Sequence, residues 1–200
     1  DRLALTREED YRVDLGELER IAQRGYDLIA LVNPNSPTSQ HIPRVELEML
    51  LRKIPLSMRV WIDETYVEYA GANESLERFA SASANVIVCK SMSKVYALSG
   101  ARVGYLCAGP HQLEDLRAIT PPWVVSLPAQ VAAIRAVQDL QYYAACYAET
   151  AALREQLAVA LGSVTSPTIC RLVADAMPSA SAKLQQSFAT ALSANRCGTI

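Results

Sequence analysis

Three short apolar runs, at residues 27–32, 59–62 and 86–89, each end abruptly in a polar cluster. The first ends in Asn33-Pro34-Asn35-Ser36-Pro37-Thr38. Its two prolines can continue neither a sheet nor a helix, so this is a rigid loop at a strand's carboxyl end. The second ends in Asp63-Glu64-Thr65-Tyr66 and the third in Lys90-Ser91-Met92-Ser93-Lys94. Between the runs lie segments of helical pattern. Strands alternating with helices predict an α/β domain with a largely parallel sheet, its strands covered on both faces. In open sheets of this kind, ligands bind beyond the carboxyl ends of the strands. Three polar clusters at three such ends are therefore expected to converge on one site.

The intervening pattern is specific enough to place elements. Asp14 caps a helix over 14–24 that buries Leu15, Leu18 and Ile21 and stops at Gly25. Pro43 opens a second helix, to Lys53. A short helix is expected at 74–80, a strand at 103–107 and a helix at 110–118. Residues 128–161 read as two helices, or one bent near Asp139, and their tyrosines as packing groups. A strand follows at 168–173 and an Ala/Ser-rich helix at 179–195. The organisation expected is a large domain over 1–127, linking helices over 128–161 and the start of a small α+β domain over 162–200.

Composition narrows the function classes. A chain of 200 residues that is 50% hydrophobic can bury a substantial core. A net charge of −2, with no basic cluster interleaved with aromatics, gives no reason to expect nucleic acid or an anionic membrane as partner. No apolar run has the length of a membrane span. The five cysteines form no Cys-x-x-Cys pair and read as free thiols of a reducing cytoplasm. His41 and His111 have no second ligand at metal spacing, so no metal site is expected. There is neither a signal-peptide pattern nor an initiator Met, so the chain reads as beginning within a longer protein.

The three clusters hold the residues that a Schiff-base cofactor needs. A lysine amine can bond the aldehyde of pyridoxal 5'-phosphate. An acid keeps the pyridine nitrogen protonated, which makes the ring an electron sink. Hydroxyls and an arginine form a phosphate cup. On this reading Lys94 is the amine, activated by burial and nearby positive charge. Asp63 is the pyridinium partner, Tyr66 the donor to the phenolate oxygen, and Ser91, Ser93 and Arg102 the cup. Ser91-Met92-Ser93-Lys94 is also literally Ser-x-x-Lys, the nucleophile motif of serine β-lactamases. That reading requires a later Lys-Thr-Gly strand, which the sequence lacks, and leaves Asp63 and Tyr66 unexplained. Glu64 reads as structural or solvated.

In order and spacing, Asn-Pro-Asn-Ser-Pro-Thr, Asp-Glu-Thr-Tyr and Ser-Met-Ser-Lys-(x)7-Arg-Val-Gly-Tyr resemble the fold-type-I pyridoxal-phosphate enzymes. The closest likeness is to class I/II aminotransferases of the histidinol-phosphate aminotransferase-like branch, over about residues 10–175. The resemblance implies a three-layer α/β/α large domain, and an enzyme that exchanges an amino group between an amino acid or amino-phosphate and a 2-oxo acid. It implies Lys94 as Schiff-base lysine and proton carrier, Asp63 and Tyr66 as ring contacts, and Ser91, Ser93 and Arg102 as phosphate ligands. It also implies a cytoplasmic homodimer whose sites draw on both subunits. A decarboxylase of a phosphorylated amino acid, or the cofactor-sensing domain of a transcription regulator, would share these motifs. Two positions depart from the pattern. The family's asparagine before Pro-Thr-Gly is Ser36, whose shorter side chain would reach the phenolate oxygen through a water, with Asn35 as the substitute donor. The family's glycine is Ser39. The resemblance further implies flanking segments that complete the site, so the chain reads as a fragment.

Overall fold

A computed structural model of the chain describes residues 1–71 and 73–161. The strand expected at 168–173, the helix at 179–195 and the domain expected over 162–200 lie outside the described residues. Four strands, β1 (Leu28–Val32), β2 (Arg59–Asp63), β3 (Val86–Ser91) and β4 (Gly104–Ala108), form one sheet in the order β1-β2-β3-β4. β1, β2 and β3 run parallel and β4 is antiparallel to β3. The reversal follows from the β3–β4 connection. It holds only a single 3-10 turn at Ser99–Ala101, too little for the crossover a parallel pair needs.

Six helices complete the described chain: α1 (Leu15–Ala22), α2 (Arg44–Leu51), α3 (Glu77–Ser81), α4 (Pro110–Ile119), α5 (Leu127–Gln138) and α6 (Leu140–Leu161). The expected cap is present: Asp14 Oδ1 accepts from the backbone N–H of Gly16 (2.8 Å) and Glu17 (3.1 Å). Of the two readings of residues 128–161, two helices is the one found, with Asp139 separating α5 from α6. No helix among the described residues is long and apolar enough to cross a membrane.

The core lies on one side of the sheet. Leu18 and Ala22 of α1, Leu47, Leu50 and Leu51 of α2, and Leu76 and Ala80 at α3 pack on Val60, Ile62, Val86 and Val88. The strands advance β1→β2→β3 in one direction, and right-handed crossovers therefore place α2 and α3 on the same face. The expectation that β1 is covered on both faces is thus corrected. Leu28 and Val32, and Leu106 on β4, are exposed on the other face. α4 reaches that second face at the amino ends of the strands. There Arg59 pairs with Asp115 (3.4 Å), and Gln112 Nε2 donates to the carbonyls of Ser83 and Val86.

A second cluster secures the loop between β3 and β4. Met92 and Val103 are buried against Ala129 and Ala136 of α5. Tyr143 of α6 meets Tyr96 edge-on, with ring centroids 5.0 Å apart, and Tyr147 meets Tyr69 at 5.6 Å. The tyrosines of α6 act as packing groups, as their spacing suggests. They dock the helix on the segments that follow β2 and β3.

Candidate cofactor site

Backbone hydrogen bonds carry the register past the strand ends. Asn33 N donates to Asp63 O, Glu64 N to Cys89 O and Met92 N to Val103 O. The three polar clusters therefore start at the same level of the sheet. Asn33 is buried, and its side-chain amide exchanges two hydrogen bonds with the backbone of Ile42, which pins the proline loop.

A cavity of about 350 Å³ opens on the second face, where β2 and β3 end and β4 begins. Asp63, Ser91, Ser93 and Arg102 line it, with Cys89 and Leu106. The register explains the grouping. Asp63 lies opposite Cys89, and Ser91 opposite Gly104, so alternate residues of three strands face the same hollow. Asp63 Oδ1 accepts from both the backbone N–H and the hydroxyl of Thr65, at 2.9 and 2.6 Å. Thr65 Oγ1 in turn accepts from Ser91 N at 3.3 Å and so links the β2 end to the β3 end. Ser91 Oγ accepts from Ser93 N, also at 3.3 Å, which leaves its own proton to donate. Arg102 occupies the left-handed region at φ 52°, and its Nη1 donates to Ser99 O.

Four of the eight residues singled out from the sequence thus meet in one cavity. The other four do not line it. Lys94 is exposed in the turn just after Ser93, so the burial expected to activate its amine is not found in this chain. The physical reason is that β3 ends at Ser91, leaving Lys94 on a loop whose buried residues are its neighbours Met92 and Val95. Tyr66 is half-buried in the turn after β2. Asn35 donates through Nδ2 to Thr38 Oγ1 at 2.7 Å, an interaction internal to the proline loop, and Ser36 is exposed. Ser39, at the family's glycine position, takes a left-handed φ of 62°.

Two features were missed by sequence reasoning. One is Thr65, whose hydroxyl ties the two strand ends. The other is an ion cluster on the opposite face of the same strand ends. Lys90 is 4% exposed, and its Nζ lies 2.9 Å from carboxylate oxygens of Glu68 and Glu77 and 3.8 Å from one of Glu64. Glu64 is fully buried, which decides against its being solvated. Burial pushes its carboxyl above the usual range, against hydrogen bonds from Ser75 and Leu76 and the charge of Lys90. Burial opposes the charge on Lys90 too, but Glu68 and Glu77 outweigh it and hold the amine above its ordinary value. The available signal was strand alternation: if Asp63 and Ser91 face the site, Glu64 and Lys90 face away from it. In the cavity itself, burial first and the charge of Asp63 second push the Cys89 thiol up to about 11. Cys89 is therefore a neutral floor residue near pH 7.

A larger groove, about 1260 Å³, opens between α2 and α3, lined by Arg44, Arg52 and Phe79 among others. It holds none of the predicted site residues, and the chemistry points to the smaller cavity.

The family model for aminotransferase class I and II matches residues 1–194. A histidinol-phosphate aminotransferase of Moorella thermoacetica is 36% identical over 133 residues, 65% of this chain and 34% of the relative. One from Rhodopseudomonas palustris is 27% identical over 187 residues, 91% of this chain and 51% of the relative. Among solved structures, histidinol-phosphate aminotransferase from Sinorhizobium meliloti in complex with pyridoxal-5'-phosphate superposes with a TM-score of 0.70 at 26% identity. That match covers 78% of this chain and 44% of the other. The chain spans about a third to a half of the length of these relatives.

Proposed function

The chain belongs to the class I and II aminotransferase family, and on that premise we propose that it forms the cofactor-binding part of a pyridoxal-phosphate-dependent aminotransferase. The enzyme moves an amino group between an amino acid, or an amino-phosphate like that of the histidinol-phosphate relatives, and a 2-oxo acid. The observation that carries this reading is the convergence of Asp63, Ser91, Ser93 and Arg102 on one cavity, with Lys94 the residue that follows Ser93. An acid, two hydroxyls and a guanidinium are the donor set that a phosphorylated pyridine aldehyde requires.

Bound pyridoxal phosphate supplies the electron sink for charge left on the amino acid's α-carbon. The rest of the work falls to side chains of this chain. Thr65 occupies Asp63 Oδ1 with two hydrogen bonds, so Oδ2 is the oxygen available to hold a proton on the ring nitrogen. Ser91, Ser93 and Arg102 would anchor the phosphate, the guanidinium matching its charge and geometry. Lys94 would supply the amine for the cofactor's aldehyde and would hold and return the substrate proton. Tyr66 is the proposed donor to the phenolate oxygen, with Asn35 or Ser36 contributing from the proline loop.

A homodimer is part of the reading. It is supported by the apolar surface exposed from Trp123 (92%) and Val124 (64%) to Leu127 (71%) and Ile134 (55%). A reducing, cytoplasmic setting is supported by the free thiols of Cys89, Cys107 and Cys146. The domain division at 127 and 161 is likewise proposed, α5 and α6 being the linking helices.

Titration with pyridoxal phosphate tests the core of this. The protein is expected to gain a visible absorption band that Lys94→Ala lacks; an unchanged band in that variant would sink the assignment. Asp63→Ala is expected to retain cofactor and lose nearly all transamination, and normal turnover in it would remove the electron-sink role.

A further inference from the structure

We propose that the cluster formed by buried Lys90 with the partly buried Glu68 and Glu77 is a clamp that sets the spacing between the acid and the phosphate cup of the cofactor site. Lys90 and Glu68 are positioning residues in it. The inference rests on the functional reading above and extends it to residues whose charged groups meet on the helix-covered side of the sheet.

The argument starts from alternation. Asp63 and Ser91 face the cavity. Their chain neighbours Glu64 and Lys90 face the helix-covered side, where both are buried. The Lys90 ammonium donates to Glu68 Oε1 at 2.9 Å, and Glu68 belongs to the 3-10 turn Val67–Tyr69 that follows Asp63 and Tyr66. It also lies 2.9 Å from Glu77 Oε1 at the start of α3, and Tyr105 Oη on β4 donates to that same oxygen at 2.6 Å. One ammonium thus joins the segment after β2, strand β3, helix α3 and, through Glu77, strand β4. Asp63 immediately precedes the first of these and Tyr66 lies in it, Ser91 ends β3, and Ser93 and Arg102 lie on the loop between β3 and β4.

On the cavity side, beyond the backbone bond from Glu64 N to Cys89 O, the two strand ends are joined by a long hydrogen bond, Ser91 N to Thr65 Oγ1 at 3.3 Å. The Thr65–Asp63 contacts stay within the β2 end, and the charge-assisted contacts that cross from one segment to another are on the reverse side. Ion pairs removed from water hold their geometry more firmly than exposed ones, because screening is weak there. The spacing between Asp63 and the Ser91 hydroxyl is therefore governed from behind the sheet.

Glu68→Ala is the first test, because Lys90 keeps Glu77 and Glu64 as partners and the fold has no uncompensated buried cation. The variant is expected to keep the wild-type circular dichroism spectrum and to bind pyridoxal phosphate about tenfold more weakly, the scale on which a supporting shell controls a site. The midpoint of the visible band's pH titration is expected to move, which a purely structural pair would not cause. Lys90→Met is expected to lose more affinity, and Lys90→Arg, which retains charge and can bridge two carboxylates, to recover wild-type affinity and midpoint. Folded Glu68→Ala with wild-type affinity and midpoint overturns the clamp, whether or not Lys90→Met folds. Failure of the wild-type protein itself to form the Lys94-dependent band overturns the functional reading and the clamp with it. A wild-type band alongside an unaltered Glu68→Ala overturns the clamp alone.

Discussion

Gly104 offers a test in which the magnitude can be worked from geometry. It opens β4 directly opposite Ser91, on the rim of the proposed cofactor site. A Cβ added there would lie 2.7 Å from the carbonyl oxygen of Lys90 and 3.4 Å from Ser91 Cα. An ordinary carbon–oxygen approach is about 3.3–3.6 Å, so β3 and β4 would have to part by roughly half an ångström or more. The obstacle is backbone and cannot rotate aside. Gly104→Ala is therefore expected near the upper end of the overpacking range, about 3 kcal/mol. For a chain of this size that corresponds to a fall in Tm of about 6–12 °C. Gly100, four residues earlier in the same motif, is the control. Nothing lies within 4 Å of its added Cβ, so Gly100→Ala is expected within about 0.5 kcal/mol of wild type, or slightly stabilising. Urea and thermal unfolding of both variants decide the matter. Equal stability of the two would show that the close approach of β3 and β4 is not what demands glycine. Because Ser91 must move, Gly104→Ala is also expected to weaken pyridoxal phosphate binding where Gly100→Ala does not.

Other consequences follow from burial. His41 is largely buried, with Nε2 3.4 Å from Glu74 Oε2. Burial lowers its pKa more than the Glu74 charge raises it, so between its folded value and the ordinary 6.5 the unfolded chain binds more protons. Stability should therefore fall as pH drops below about 6.5, and a His41→Gln variant followed by urea unfolding from pH 7.5 to 5 should lose that component. If the slope persists in the variant, the titrating group lies elsewhere. Ile62 has no exposed surface and sits at the centre of the helix-covered face. Ile62→Ala is expected to cost about 2–5 kcal/mol, read as a reduced denaturation midpoint, and a loss under 1 kcal/mol would contradict the packing described.

Much of the cofactor site was legible along the chain. Asp63, Ser91, Ser93 and Arg102 were found from two motifs, each starting at the end of an apolar run, because a strand's carboxyl end is written locally as hydrophobic residues followed by residues that cannot continue it. Lys94, Tyr66, Asn35 and Ser36 were equally legible as motif members, but their placement relative to the cavity was not. Exposure of Lys94 depends on where β3 ends and on what α5 and α6 cover, and neither is a local property. The 3-10 turn that makes β4 antiparallel, and the face that β1 leaves open, were likewise invisible in periodicity.

The sequence by itself located the four strands to within a residue or two, the cap at Asp14, an interruption near Asp139 and the identity of the residues at the strand ends. Those outcomes depend on interactions within a few residues, such as apolar spacing, proline geometry and a carboxylate reaching the next backbone N–H. Tertiary structure alone decided which face each side chain uses. Alternation says that Asp63 and Glu64, or Lys90 and Ser91, point opposite ways, but not which member of each pair meets the core. That choice was made by the right-handed crossovers that stack α2 and α3 on one side. They turned Glu64 and Lys90 inward to a buried ion cluster, and left Asp63 and Ser91 facing the cavity.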